Sequence, residues 1–315
     1  MIIGFYRKED KFYKSYDIGE LRERAAQLLW LDLISPTAEE LEYFESLYHV
    51  TFQSQQKIEE IELSSRYLEL GNSIFVNTDF LTLQEEQFTH DTISFILLGN
   101  LLISRRQREV RAFDEVVKRM ELNPRLFQNG YQIITSLFEA RIDQDADLVE
   151  LVARQISSIS RQLSVEKDLG EDMILMITRY QETTMTIRQS IIDKQRVISS
   201  MLKSERFPKE SMEKLRIMIK DISSLVDHTA FSFERLEYLQ NTFLGLLNIE
   251  QNNIIKIFTV VSVIFLPPTL IASIYGMNFR VMPELNWSGG YPFALFLMVL
   301  SSVGTLFLFR KKNWL

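Results

Sequence analysis

Four residues near the carboxyl end of the chain stand out for their chemistry. Tyr275-Gly276-Met277-Asn278 follow a stretch that carries no charge from Ile257 to Tyr275. The Asn278 amide oxygen and the backbone carbonyl of Gly276 are neutral acceptors with large dipoles. Copies of such groups around an axis can accept hydrogen bonds from the water shell of a cation. Counting back from Gly276 by three and four gives Ser273, Thr269, Leu266, Ser262, Thr259, Ile255 and Asn252. At that spacing they share one helical face. Small and hydroxyl residues therefore follow one line through an otherwise apolar run. In lipid such a line favours a packed helix or a water-lined side. Tight helix packing without a pore is the plainer of the two readings.

The elements that must position these residues are helices. At ~1.5 Å per residue, the uncharged stretch nearly crosses a ~30 Å hydrocarbon core. A second uncharged stretch, Tyr291 to Phe309, ends in Arg310-Lys311-Lys312. Two spans and a basic stop describe a membrane hairpin better than two core helices of a soluble protein. The basic residues hold the C-terminus in the cytoplasm, and two spans then place the N-terminal part there too. The start, MIIGFYRKEDK, has an apolar run too short for a signal peptide.

Upstream, Phe207-Pro208 breaks the chain and a helix begins near Lys209. Nothing stops it before Pro267. Leu215, Met218, Ile222, Leu225, Thr229, Ser232, Leu236, Leu239, Phe243 and Leu246 follow a 3-4-3-4 spacing, a heptad seam of the kind that drives self-association. One stalk is therefore expected from Lys209 to Tyr275, roughly 100 Å long at the standard rise. The line through Asn252 continues back along this stalk as Asn248, Gly245, Asn241, Tyr238, Glu234, Phe231 and Asp227.

Tyr275-Gly276-Met277-Asn278 at the end of the first of two C-terminal spans resembles the YGMN signature of the CorA family of divalent-cation channels. The flanks agree: IFLPPTLIASIYGMNF, then Met282-Pro283-Glu284-Leu285, Trp287, Tyr291-Pro292 and the closing KKNWL. The resemblance is specific over about the last 65 residues. It implies a homopentamer in the bilayer of a bacterial inner (plasma) membrane, with the first span lining the pore. It also implies passive Mg²⁺ influx, with Co²⁺ and Ni²⁺ as further cargo, and closure by cytoplasmic Mg²⁺ bound to acids between subunits. Mg²⁺ holds its six waters reluctantly, so a filter for it should bind the hydrated ion. Gly276 and Asn278 would form that ring, with Gly276 letting the backbone leave helical geometry. Thr269 would add a hydroxyl ring, Leu266 and Ile255 apolar constrictions, and Asn252 a polar mouth. Two charges crossing ~100 mV gain about 4.6 kcal/mol, so no ATP site is required. The regulatory candidates are Asp221, Asp227 and Glu234, with Asp143 and Asp147 behind them. One position departs from the family: after Gly-Met-Asn-Phe many members carry an acid, and here Arg280 follows. A ring of arginines repels cations unless each pairs with a neighbour such as Glu284.

The rest of the chain adds no catalytic constellation. His49, His90 and His228 are scattered, and no P-loop, nucleophile elbow or dinucleotide motif occurs. There are no cysteines, hence no thiolate metal sites. Net charge −7 without a basic stripe argues against nucleic acid. An enzyme is not expected. Ile2–Tyr6, Leu29–Ile34, Tyr67–Leu70, Ser73–Leu81, Thr92–Leu98 and Leu101–Ser104 read as strands. Gly71-Asn72 and Gly99-Asn100 read as hairpin turns, and Ser35-Pro36-Thr37 as a helix start. Two acidic clusters, Lys57–Glu62 and Asp143, Asp145, Asp147 and Glu150, read as solvated helix faces or as a divalent-ion surface.

The expected fold is an α+β cytoplasmic domain (1–125), long cytoplasmic helices and stalk (126–253), and a transmembrane hairpin. In the hairpin the first helix (254–278) continues the stalk. An external loop (279–290), a second helix (291–309) and a basic tail (310–315) follow. Two other functions share this outline: a zinc transporter, against which the intact Gly-Met-Asn speaks, and a non-conducting membrane anchor or sensor that uses the stalk only to oligomerise.

Overall fold

The computed structural model describes residues 1–8, 11–53, 66–84, 87–165, 171–278, 280 and 282–312. The acidic cluster Lys57–Glu62 lies outside them. The chain divides into two compact units, Met1–Gln240 and Asn241–Leu315.

The first unit is built on a mixed seven-stranded sheet: β1 (Ile2–Lys8), β2 (Lys11–Ser15), β3 (Leu28–Ile34), β4 (Tyr67–Leu70), β5 (Ser73–Gln84), β6 (Gln87–Leu98) and β7 (Leu101–Arg106). Their order is β2-β1-β3-β7-β6-β5-β4. Only β3 and β7 run parallel; the other neighbours are antiparallel. The β4–β5 and β6–β7 hairpins turn at Gly71 (φ 55°) and Gly99 (φ 57°), a left-handed conformation that glycine adopts without strain. α2 (Ala38–Tyr48) starts at Thr37 with a reciprocal capping box to Glu40. β2 and the short α1 (Ile18–Glu23) have no counterpart in the sequence reading. β2 is an exposed edge with little apolar patterning, and α1 is held by an Asp17 cap.

Alternation along the strands gives the sheet two apolar faces. Leu31, Leu33, Ile96 and Ile103 meet Leu21 of α1 and Phe44 of α2 on one face. Trp30, Phe95 and Phe80 form an aromatic row on the other, against Phe113 of α3 (Arg111–Leu122) and Phe138 of α4 (Gly130–Val165). Gly130 starts α4 so close to β7 that a Cβ would sit 2.7 Å from the Leu102 nitrogen.

α4 and α5 (Glu171–Lys203) pack together and, with α6 (Lys209–Tyr275), complete the helical part. Their junction with β5 encloses charge. Asp145 is buried against Arg141, and the fully buried Lys194 ammonium lies 3.0 Å from its second oxygen. Arg141 also donates to the Leu81 carbonyl at 2.8 Å, and Lys194 donates to the Ser190 carbonyl at 3.1 Å. Burial pushes the Lys194 pKa down, against the pull of Asp145. So Asp145 leaves the acidic cluster read from the sequence, while Asp143, Asp147 and Glu150 stay exposed on one helical face. Asp145 is interior, Asp143 lies 3.7 Å from Arg119, Glu150 lies 3.9 Å from Arg154, and Asp147 is exposed.

The heptad seam requires a correction. Leu215, Met218, Ile222, Thr229, Ser232, Leu236 and Leu239 are buried within this single chain. Thr229 and Ser232 face Val149 and Val152 of α4 and Thr184 and Ile187 of α5. The seam is covered by the chain's own helices and is not left for a second copy. Its two polar members suit the narrow place where three helices meet.

The second unit holds the end of α6, a turn at Pro283–Asn286 and α7 (Gly290–Lys311). α6 and α7 are both long and apolar enough to cross a bilayer.

The charge cluster gives a stability test. Asp145→Asn leaves two buried cations with no counter-ion and should cost about 3–5 kcal/mol. Lys194→Met leaves the Arg141–Asp145 pair matched and should cost under about 2 kcal/mol. Denaturant unfolding of the full chain in detergent measures both, and equal losses would contradict this account.

Candidate functional site

The line read from the sequence is open along its whole length. Asn252, Ile255, Thr259, Ser262, Leu266, Thr269 and Ser273 are all exposed, as are Asp227, Phe231, Glu234, Tyr238, Asn241, Gly245 and Asn248 before them. The buried side of the membrane part is a different one. Val260, Val263, Ile264, Pro267, Pro268 and Ile271 are partly covered, and Ser302 of α7 reaches the Ile264 carbonyl at 3.5 Å. On α7 the covered residues are Gly290, Ala294, Leu297, Met298, Ser301, Ser302 and Thr305, again one helical face. At about 100° per residue, the open line lies roughly 150° around α6 from the face turned to α7. The second helix therefore leaves the polar line uncovered.

The hydroxyls on this line have a defined polarity. Thr259 donates to the Ile255 carbonyl and Thr269 to the Phe265 carbonyl, each at 2.7 Å. With the proton committed inward, each oxygen offers only lone pairs outward. A ring of such oxygens accepts from the water of a hydrated cation and has nothing to donate to an anion. Leu266 and Ile255 interrupt the line with apolar surface, 64% and 53% exposed.

α6 ends at Tyr275, just before the asparagine. The Gly276 amide still donates to the Ala272 carbonyl at 2.9 Å, and the Met277 amide to the Ile274 carbonyl at 3.2 Å. The backbone leaves helical geometry at Gly276, the first residue beyond α6, and does so without a left-handed φ. Room is what matters: a Cβ there would meet the Ala272 oxygen at 3.2 Å. A helix carboxyl end carries about half a negative charge on its unsatisfied carbonyls. Gly276, Met277 and Asn278 are exposed directly beyond that end. The combination is a neutral acceptor cluster backed by a helix dipole of the sign that favours cations.

Beyond the site, Trp287 and Tyr291 are exposed at the same end of the hairpin as Asn278, suited to a membrane–water boundary. Trp287 packs on Phe293 at 5.9 Å, and its ring leaves no space for a Cβ at Gly289. Arg280 is exposed; its pairing with Glu284 falls on a side chain outside the described residues. Of the acidic candidates, Asp227 and Glu234 sit on the open line. Asp221 is also exposed, but about 120° around the helix from Asp227. Among the described residues, no group of three or more potential metal ligands forms within one chain.

A family model described as CorA-like Mg²⁺ transporter protein matches residues 25–311. A magnesium transport protein CorA from Wolinella succinogenes is 40% identical over 307 residues, covering 96% of each chain. One from Helicobacter pylori is 33% identical and covers 100% of each chain. The complete structure of the CorA magnesium transporter from Methanocaldococcus jannaschii superposes with a TM-score of 0.82 at 20% identity, covering 100% of this chain and 99% of that one. The chain belongs to the CorA-like Mg²⁺ transporter family.

Proposed function

We propose that this chain is one subunit of a Mg²⁺ channel, with Gly276 and Asn278 forming its selectivity filter and the open line of α6 lining its pore. The observation that carries the proposal is the line itself. It is uncharged through the apolar stretch, it bears hydroxyl oxygens as acceptors, and α7 leaves it uncovered. A hairpin of two helices cannot enclose a pore, so the lines of several copies must meet around an axis. A ring of five is the arrangement that the family resemblance implies. Ions then pass with their water largely intact, driven inward by the membrane potential. A filter that reads a water shell separates octahedral hydrates of similar size poorly, which admits Co²⁺ and Ni²⁺ beside Mg²⁺. In this reading residues 279–290 face outside, and Arg310, Lys311 and Lys312 hold the tail in the cytoplasm of a bacterial cell.

Uptake of Mg²⁺ by liposomes holding the purified chain tests the proposal directly. Asn278→Ala removes the acceptor and little packing. A lost hydrogen bond to a charged partner is worth about 1.5–3 kcal/mol, so uptake should fall roughly ten- to a hundredfold. Mass in detergent should stay that of the wild-type oligomer. Wild-type uptake by the assembled variant would remove Asn278 from the filter. A wild type that assembles and passes no divalent ion would favour the anchor or sensor reading.

Leu266 is placed to close the pore, because an apolar ring excludes water. Leu266→Asn should raise leak in the closed state while total protein in the membrane is unchanged. Unaltered leak would move the constriction, with Ile255 next.

A channel driven only by voltage overfills its cell unless internal ion closes it. Asp227 and Glu234, on the line where copies meet, are the acids placed to bind that ion between subunits. Crowded carboxylates repel, and a bound divalent cation relieves the repulsion. Asp227→Asn with Glu234→Gln should keep uptake running at internal Mg²⁺ that silences the wild type, and Asp221→Asn should do so less. Inhibition at an unchanged concentration in the double variant would place the sensor in the α/β part, residues 1–125.

A further inference from the structure

Proline has no amide hydrogen. Pro267 and Pro268 therefore cannot bond the carbonyls of Val263 and Ile264, four residues back. The helix remains continuous through both prolines. In hydrocarbon an orphan carbonyl has no water to fall back on, so a partner must come from the protein. For Ile264 that partner is the Ser302 hydroxyl of α7, at 3.5 Å. Its neighbours behave differently. Ser301 donates to the Met298 carbonyl and Thr305 to the Ser301 carbonyl, each at 2.8 Å and each inside α7. Of these three hydroxyls, only Ser302 reaches across to the other helix.

The carbonyl it meets belongs to the turn 264–268, which also carries Leu266 on the opposite, open side of α6. We infer that Ser302 is a positioning residue for the pore-lining helix. Its hydroxyl takes the place of the amide that Pro268 lacks, and so fixes the turn that presents Leu266. A contact of 3.5 Å is at the long limit of a hydrogen bond. A small shift of α7 is enough to make it or lose it, which links the placement of the outer helix to that of the Leu266 ring. The inference rests on the reading of the open line as a pore, and its central test does not.

The test is a double-mutant cycle in the full-length chain. Ser302→Ala should lower the thermal midpoint in detergent by about 2–4 °C and raise closed-state Mg²⁺ leak in liposomes. Ser302→Thr keeps the hydroxyl and should leave both unchanged. Pro268→Ala supplies an amide to the Ile264 carbonyl, so in that background Ser302→Ala should have no further effect on either readout. An equal Ser302→Ala effect in both backgrounds would mean that Ser302 acts by packing, and would overturn the inference. So would no effect in the wild-type background. If Pro268→Ala fails to assemble, the Ala–Thr pair decides: a threonine variant that behaves like the alanine variant rejects the hydroxyl's role. The thermal cycle stands whether or not the chain conducts. A conducting protein without the cycle keeps the proposed function and loses only this inference.

Discussion

Hydrocarbon offers a peptide group no hydrogen-bond partner, and the second unit is arranged around that constraint. α6 meets it with a helix continuous to Tyr275 and two further turn bonds from Gly276 and Met277. Thr259 and Thr269 turn their protons onto carbonyls of the preceding turn. Where two prolines remove donors, Ser302 comes in from α7. What the ladder leaves over is polar in one direction only. Outward-facing hydroxyl oxygens and the last carbonyls of α6 are acceptors.

The same helix serves two kinds of neighbour. Along its first half, the seam from Leu215 to Leu239 is sealed by α4 and α5. The other line, from Asp227 to Ser273, is left open. Phe231 and Tyr238 on it are 59% and 69% exposed.

Much of this was legible in the sequence, because period and turn chemistry are local. Alternation placed six of the seven strands. Gly71 and Gly99 announced their turns, Thr37 and Glu40 their cap, and Lys209 the start of α6. The line through Asn252 needed only the helical period and the absence of charge. Local pattern failed where the answer depended on distant partners. A 3-4 spacing says that a face will be covered and not by which chain, so the seam from Leu215 onward was assigned to self-association. Asp145 looked like one acid among four, since nothing near it in sequence shows Lys194 arriving from another helix. The bond between Ser302 and Ile264 was hidden for the same reason, although Pro268 already declared that a carbonyl would lack its donor.

Placement of charge separates passage from holding. Between Ile257 and Tyr275 there is no ionised side chain, and the proposed filter would use an amide and a backbone carbonyl. A carboxylate ring at that depth would bind a divalent ion too tightly to release it at useful rates, since conduction needs sites strong enough to enter and weak enough to leave. Helix carboxyl ends supply partial charge, about half a unit each, which attracts without trapping. Full carboxylates appear on the same line only at Glu234 and Asp227, well before the apolar stretch. In the proposed function tight binding there is useful, because an ion that stays would hold copies together.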